Sequence, residues 1–216
     1  PPINPELRDA LARTERRGPP RTLGDPGYRG RGKGGPGRPR AARPTPRFAV
    51  VDVLADAKML PAIFFIFSRA GCDGAVSQCL AAGLRLTSNA EAAQIRQIVE
   101  ERCADVPRAD LQVLGYWEWL EALTRGIAAH HAGLLPLFKE TVETLFARGL
   151  VKVVFATETL ALGINMPARS VVLEKLVKWD GSAHVGLTPG EYTQLTGRAG
   201  RRGIDTEGHA VVVSHA

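Results

Sequence analysis

Val151-Lys-Val-Val-Phe-Ala156 passes into Thr157-Glu-Thr-Leu-Ala-Leu-Gly-Ile-Asn-Met-Pro-Ala-Arg169, and Ser170-Val-Val-Leu173 follows without a break. Each end of this stretch is a short apolar run rich in β-branched residues, long enough for a buried strand and too short for a helix. Outward from it, short apolar runs alternate with longer amphipathic stretches, the pattern of βαβ units on a parallel sheet. Strands are expected at residues 62–67, 127–130, 151–156, 170–173 and 209–213. Helices are expected at residues 72–82, 90–103, 108–124, 136–148 and 189–196, after a short one at 48–58 that ends before Pro61. Pro136 suits the first turn of its helix, where a missing N–H costs nothing. The fold class that follows is α/β, a parallel sheet flanked by helices.

The front of the chain has a different composition. The net charge of +6 is concentrated in residues 1–47, which carry twelve Lys/Arg against four Asp/Glu, while the remainder has sixteen against eighteen. Residues 4–17 have the composition of a short helix, but from residue 18 to 47 fifteen of thirty positions are Gly or Pro. Such a segment cannot bury enough surface to offset its ordering entropy, so residues 1–47 are expected to be a mostly disordered basic linker and residues 48–216 the folded domain. A basic segment beside a near-neutral domain suits a polyanionic partner, although it also serves as a plain solubilising linker. Gly27 to Lys33 reads G-x-x-x-x-G-K, but Gly34 stands where a phosphate-binding loop needs Ser or Thr, and no strand precedes it. Three cysteines without a C-x-x-C pair indicate neither a disulfide framework nor a zinc knuckle and fit a reducing cytoplasm. The longest apolar run, residues 59–67, falls well short of the roughly 18 residues of a membrane span. A start without Met and a stop just after the last strand-like run suggest a piece of a longer protein.

Two motifs carry the chemistry. Gln194-Leu-Thr-Gly-Arg-Ala-Gly-Arg-Arg-Gly203 follows a helix; Gly197 and Gly200 allow close backbone approach, and Arg198, Arg201 and Arg202 present forked donors for phosphate oxygens. Spaced three apart, Arg198 and Arg201 would share one face of a helical turn. The plainer alternative is a solvated basic turn. The loop after residue 156 offers the Thr157 and Thr159 hydroxyls, close approach at Gly163 and the Asn165 amide, at a strand end where ligands of open α/β sheets bind. Its plainer alternative is a polar turn capped by Asn165. Ser68 and Arg69 end the first strand with a hydroxyl and a cation. His130 and His131 end the second; adjacent on a strand they face opposite ways, which disfavours one shared metal, so one structural histidine and one near the cleft are expected, with no metal site.

The order Phe65-Ile-Phe-Ser-Arg69, His130-His-Ala-Gly-Leu134, the residues 155–169 and the residues 194–203 resembles motifs IV, V and VI of the Ski/Mtr-type superfamily 2 DExH-box RNA helicases, its bacterial branch above all. The resemblance covers nearly everything from Pro61 onward. It implies the second, C-terminal RecA-like domain of such a helicase, a P-loop NTPase-type fold without its own P-loop. It further implies that Gln194, Arg198 and Arg201 line an ATP cleft, the arginines as fingers toward the γ-phosphate, with Gly163, Asn165, Gly197 and Gly200 bordering the nucleotide. Ser68, Arg69, Thr157 and Thr159 would hold a nucleic-acid backbone. ATP and Mg²⁺ would be bound mainly by the preceding RecA-like domain, which lies outside this sequence, so the chain alone should be inactive. The implied partners are single-stranded RNA or DNA and that first domain, with no membrane. A DNA helicase domain and a non-catalytic nucleic-acid-binding scaffold remain as alternatives.

Overall fold

The computed structural model describes residues 45–160 and 166–213. Five strands, β1 (Ala62–Phe65), β2 (Ile127–His130), β3 (Val153–Ala156), β4 (Ser170–Leu173) and β7 (His209–Val212), form one sheet in the order β2-β3-β1-β4-β7. Every neighbouring pair is parallel and in simple register, with Ala62 opposite both Val153 and Ser170, and Ser170 opposite His209. The sheet therefore has two distinct ends. Residues 61, 152, 169 and 208 lie at the N-terminal edge, and residues 66, 157, 174 and 213 at the C-terminal edge. Four-residue strands hold these edges about 13 Å apart.

Helices cover both faces because alternate strand residues are apolar on both. Ile63, Phe65, Val154, Ala156, Val171 and Leu173 pack against α3 (Asn89–Arg102), α4 (Arg108–Val113), α5 (Tyr116–Thr124) and α6 (Pro136–Ala147). Ala62, Phe64, Val153, Phe155 and Val172 pack against α1 (Arg47–Asp56) and α2 (Arg69–Ala81). The Phe64 and Phe155 rings meet at 5.1 Å between centroids on that second face. This is the RecA-like α/β arrangement. Burial of one such phenylalanine stabilises the fold by roughly 2–3 kcal/mol.

Several boundaries differ from the sequence reading. α2 begins at Arg69 rather than 72, because the Ser68 side chain caps it by accepting from the Gly71 N–H at 3.0 Å. The single helix expected over 108–124 is two, since Gly115 adopts φ +68° between α4 and α5. A two-stranded antiparallel hairpin, β5 (Val177–Trp179) with β6 (His184–Gly186), was not expected at all. α7 (Pro189–Thr196) has the expected bounds, with Pro189 in its first turn and a capping box between Thr188 and Glu191. The expected helix at 4–17 and most of the linker lie outside the described residues. Arg47, assigned to that linker, instead opens α1 and makes a two-pronged ion pair with Glu174, its Nη2 donating to Oε2 at 2.9 Å. All three cysteines are buried and unpaired, and burial pushes the Cys72 and Cys79 thiols up to about 12. No described helix is long and apolar enough to cross a membrane.

Candidate functional site

The arginine segment lies at the N-terminal edge. After α7 the chain makes one tight turn, with Ala199 N–H donating to the Thr196 carbonyl at 2.9 Å, and then forms an isolated parallel bridge between Ala199 and Ala168. Ala168 N–H donates to the Arg198 carbonyl at 3.0 Å, and Gly200 N–H donates to the Ala168 carbonyl at 2.7 Å. Arg198 and Arg201 therefore flank the bridged Ala199 and the positive-φ Gly200 rather than sharing a helix face, which corrects the geometry read from their spacing. Gly200 sits at φ +90°, and a side chain on Gly208 would put its Cβ 2.5 Å from the backbone of Ala199 and Gly200. Two glycines thus let two backbone segments touch before β7 starts. The Cβ of a residue at Gly197 would lie 2.9 Å from the Thr193 carbonyl. In the described fold, Gly197, Gly200 and Gly208 have conformational reasons to be glycine.

Arg201 is partly exposed and already holds an oxyanion. Its backbone N–H and Nε donate to Asp205 Oδ2 at 3.0 and 2.7 Å, and its Nη2 donates to Oδ1 at 2.7 Å. The guanidinium hydrogen bonds hold the Asp205 carboxyl at about 2, well below the usual carboxylate range. Arg198 is partly buried, while Gln194 on α7 and Arg202 are exposed. Gly163 and Asn165 lie outside the described residues, in the connection between Leu160 and Met166.

The second group of candidates collects at the opposite edge. Ser68 and Arg69 follow β1, Thr157 and Thr159 follow the adjacent β3, and Ser68, Arg69 and Thr159 are exposed. The Thr157 and Thr159 hydroxyls lie 2.9 Å apart, so one donates to the other and one hydroxyl hydrogen is left over. Ser68 spends a lone pair on its cap and keeps its own hydrogen to donate. With Arg69 and the N-terminus of α2 beside them, these donors suit phosphate oxygens.

The histidines of this edge are both held internally. Both are buried and both are held by carboxylates: His130 Nε2 donates to Glu143 at 2.8 Å and His131 Nε2 to Asp73 at 2.9 Å. Gly133 N–H donates to His131 Nδ1 at 3.1 Å, which fixes the His131 tautomer. His130 is the structural histidine, and His131 sits at Gly133, whose open side Arg69 also borders.

Sequence reasoning missed the element that ties the start of α7 to the C-terminal edge. Lys178, on β5, is gripped by Glu158 Oε2 at 3.0 Å and by Glu191 Oε1 at 2.6 Å. Glu158 lies between the two threonines, and Glu191 is in the first turn of α7. The helix starts at the C-terminal edge and delivers Arg198 to the N-terminal edge, its eight residues spanning about 12 Å. Its Leu195 anchors it in the same core as Leu160, Met166 and Ala168. The alternation Val177-Lys-Trp179 followed by Asp180-Gly181 was the signal available for the hairpin.

Comparison with known proteins identifies the family. The helicase conserved C-terminal domain family matches residues 97–203. The probable helicase HelY of Mycobacterium leprae is 59% identical over 221 residues, covering 99% of this chain and 23% of that protein. Human Superkiller complex protein 2 is 42% identical over 181 residues, 84% of this chain and 14% of that protein. The chloroplastic DExH-box ATP-dependent RNA helicase DExH15 of Arabidopsis thaliana is 49% identical over 158 residues, 73% of this chain and 13% of that protein. The chain thus spans less than a quarter of the length of these relatives. A five-stranded parallel sheet with its arginine segment after α7, matched across nearly its whole length by helicases of one kind, belongs to the Ski2-type superfamily 2 helicases as their C-terminal helicase domain.

Proposed function

We propose that this chain is the second motor domain of an ATP-dependent RNA helicase, acting with the RecA-like domain that precedes it in such proteins. The observation that carries this reading is the separation of two donor groups onto opposite edges of one sheet, with a single helix, α7, running between them. At the N-terminal edge, Arg201 and Arg198 serve as fingers, and Gln194, Gly197 and Gly200 line the same cleft; the family resemblance adds Gly163 and Asn165, outside the described residues, as further neighbours of the nucleotide. The two-oxygen contact of Arg201 with Asp205 supports the fit of its guanidinium to phosphoryl oxygens. Hydrolysis of Mg²⁺-bound ATP, held mainly by the first domain, supplies the driving free energy. This chain's arginines neutralise charge that builds on the transferring group, so hydrolysis depends on closure of two domains. At the C-terminal edge, Ser68, Arg69, Thr157 and Thr159 hold the strand backbone.

RNA as the strand rests on the relatives that carry RNA helicase names. A cytoplasmic location is part of the same proposal, supported by three buried cysteines without a disulfide. The test is ATP turnover by the full-length parent and by this chain alone, each with matched RNA and DNA single strands. RNA-stimulated turnover by the parent and none by the chain is expected. Stimulation by DNA alone would move the assignment to a DNA helicase, and absence of turnover in the parent would leave a binding scaffold. RNA-stimulated turnover by the isolated chain would overturn the shared-site reading.

A further inference from the structure

Resting on that reading of Arg201, we infer that Asp205 is a positioning residue for the arginine finger, gripping it along one edge so that the other edge faces the phosphoryl oxygens. A guanidinium has a side edge, formed by Nε–H and one Nη2–H, and an end edge, formed by the outer Nη2–H and Nη1–H. Asp205 takes the side edge, with Nε at 2.7 Å and Nη2 at 2.7 Å. Nη1 donates to none of the described residues. The end edge, itself a fork that matches two oxygens, is left to an incoming anion.

The local backbone is shaped for this grip. Ile204 and Asp205 both donate their N–H groups to the Arg201 carbonyl, at 3.0 and 2.9 Å, while Asp205 Oδ2 accepts the Arg201 N–H at 3.0 Å. Gly203 at φ +77° turns the chain so that residue 205 comes back over residue 201. The Asp205 side chain is only 4% exposed, whereas Arg201 keeps 25%. The buried partner is thus the clamp and the half-open one is the tool. Arg169 contributes further positive charge that keeps the carboxylate ionised. Arginine carries large rotamer freedom, and holding it in place before the nucleotide arrives removes an ordering cost from the reaction itself.

The experiment uses the full-length parent at saturating RNA and compares wild type, Asp205→Asn, Arg201→Ala and the double variant. Asp205→Asn presents an amide donor to the guanidinium and should lower kcat about tenfold or more, because misorientation costs rate. KM for ATP should move less than about threefold. In the Arg201→Ala background the same substitution should change kcat less than about twofold, since a residue acting through Arg201 has nothing left to position. An equal loss in both backgrounds would show a merely structural role and overturn the inference. So would kcat for Asp205→Asn at or above wild type, which would make Asp205 a competitor for the finger. If Arg201→Ala itself left kcat intact, the finger reading would fail and the positioning role with it; a crippled Arg201→Ala beside a normal Asp205→Asn would sink the positioning role alone. Should Asp205→Asn melt below the assay temperature, Asp205→Glu, which keeps the charge but shifts the carboxylate by one methylene, should give an intermediate kcat. Full activity of that variant would contradict the inference.

Discussion

The two edges of the sheet are built from the same five strands yet differ in how their functional groups are held. At the N-terminal edge, the arginine segment is fixed by a backbone bridge to Ala168, a close glycine contact at Gly208 and a bidentate carboxylate on Arg201. At the C-terminal edge, Ser68, Arg69 and Thr159 are exposed, and the Thr157 hydroxyl meets only that of Thr159 among the described residues. On the proposed reading this contrast has a physical reason. Groups that stabilise charge in a transition state gain from being oriented beforehand, whereas groups that must release and regrip a strand need only modest individual contacts.

The contrast breaks most visibly at Arg201. In the parent protein, Arg201→Ala should lower kcat by about 10³-fold or more with far less change in ATP affinity, and Arg201→Lys should recover little, because a point charge lacks the planar fork. Steady-state kinetics with saturating RNA measures both. A smaller effect is expected from Gly208→Ala, whose added Cβ would fall 2.5 Å from the backbone of the arginine segment. Overpacking of this kind costs about 1–3 kcal/mol, to be read from a denaturant melt alongside a drop in kcat. An unchanged melt would mean that the two segments can separate freely.

Lys178 tests whether the edges communicate. Removing its side chain in Lys178→Ala breaks the tie between Glu158 and Glu191. The stimulation of ATP turnover by RNA should fall about fivefold while turnover without RNA stays close to wild type. Equal loss of both would make Lys178 a stabilising residue only. The smallest expected effect concerns pH. Burial, opposed by the hydrogen bond to Glu143, holds His130 below its ordinary value of 6.5. The unfolded chain then takes up this proton more readily than the native protein. His130 therefore contributes stability that is present above the ordinary value and lost as pH falls through the lowered one. Melting temperature should decline on acidification from about pH 7 to 5, and His130→Asn should flatten that slope. A slope indifferent to the substitution would assign the pH dependence elsewhere.

Much of the fold was legible because it is written in local patterns. β2, β4 and α7 have the expected bounds, since apolar runs, Pro189 and the Thr188/Glu191 box are read within a few residues of one another. What failed depends on distant partners or on single backbone angles. Arg47 looked like linker because Glu174, its partner, is 127 residues away. The expected face shared by Arg198 and Arg201 dissolved because Ala168, thirty-odd residues earlier, draws that segment into a bridge. The break at Gly115 is one positive φ inside an otherwise helical pattern. The candidate residues themselves were found by type and motif, but that they divide between two edges became visible only with the strand order.

The division of labour is tested most directly by measuring RNA affinity and saturating-RNA kcat for two variants of the parent protein, Arg201→Ala and the Thr157→Ala/Thr159→Ala double. Arg201→Ala should lose turnover and keep its RNA affinity. The threonine variant should weaken RNA binding roughly 10- to 100-fold, as for lost hydrogen bonds to a charged backbone at about 1.4 kcal/mol per decade, and keep kcat once RNA is saturating. If each variant lowered both quantities together, or if the threonine variant bound RNA as wild type does, the assignment of separate functions to the two edges would be contradicted.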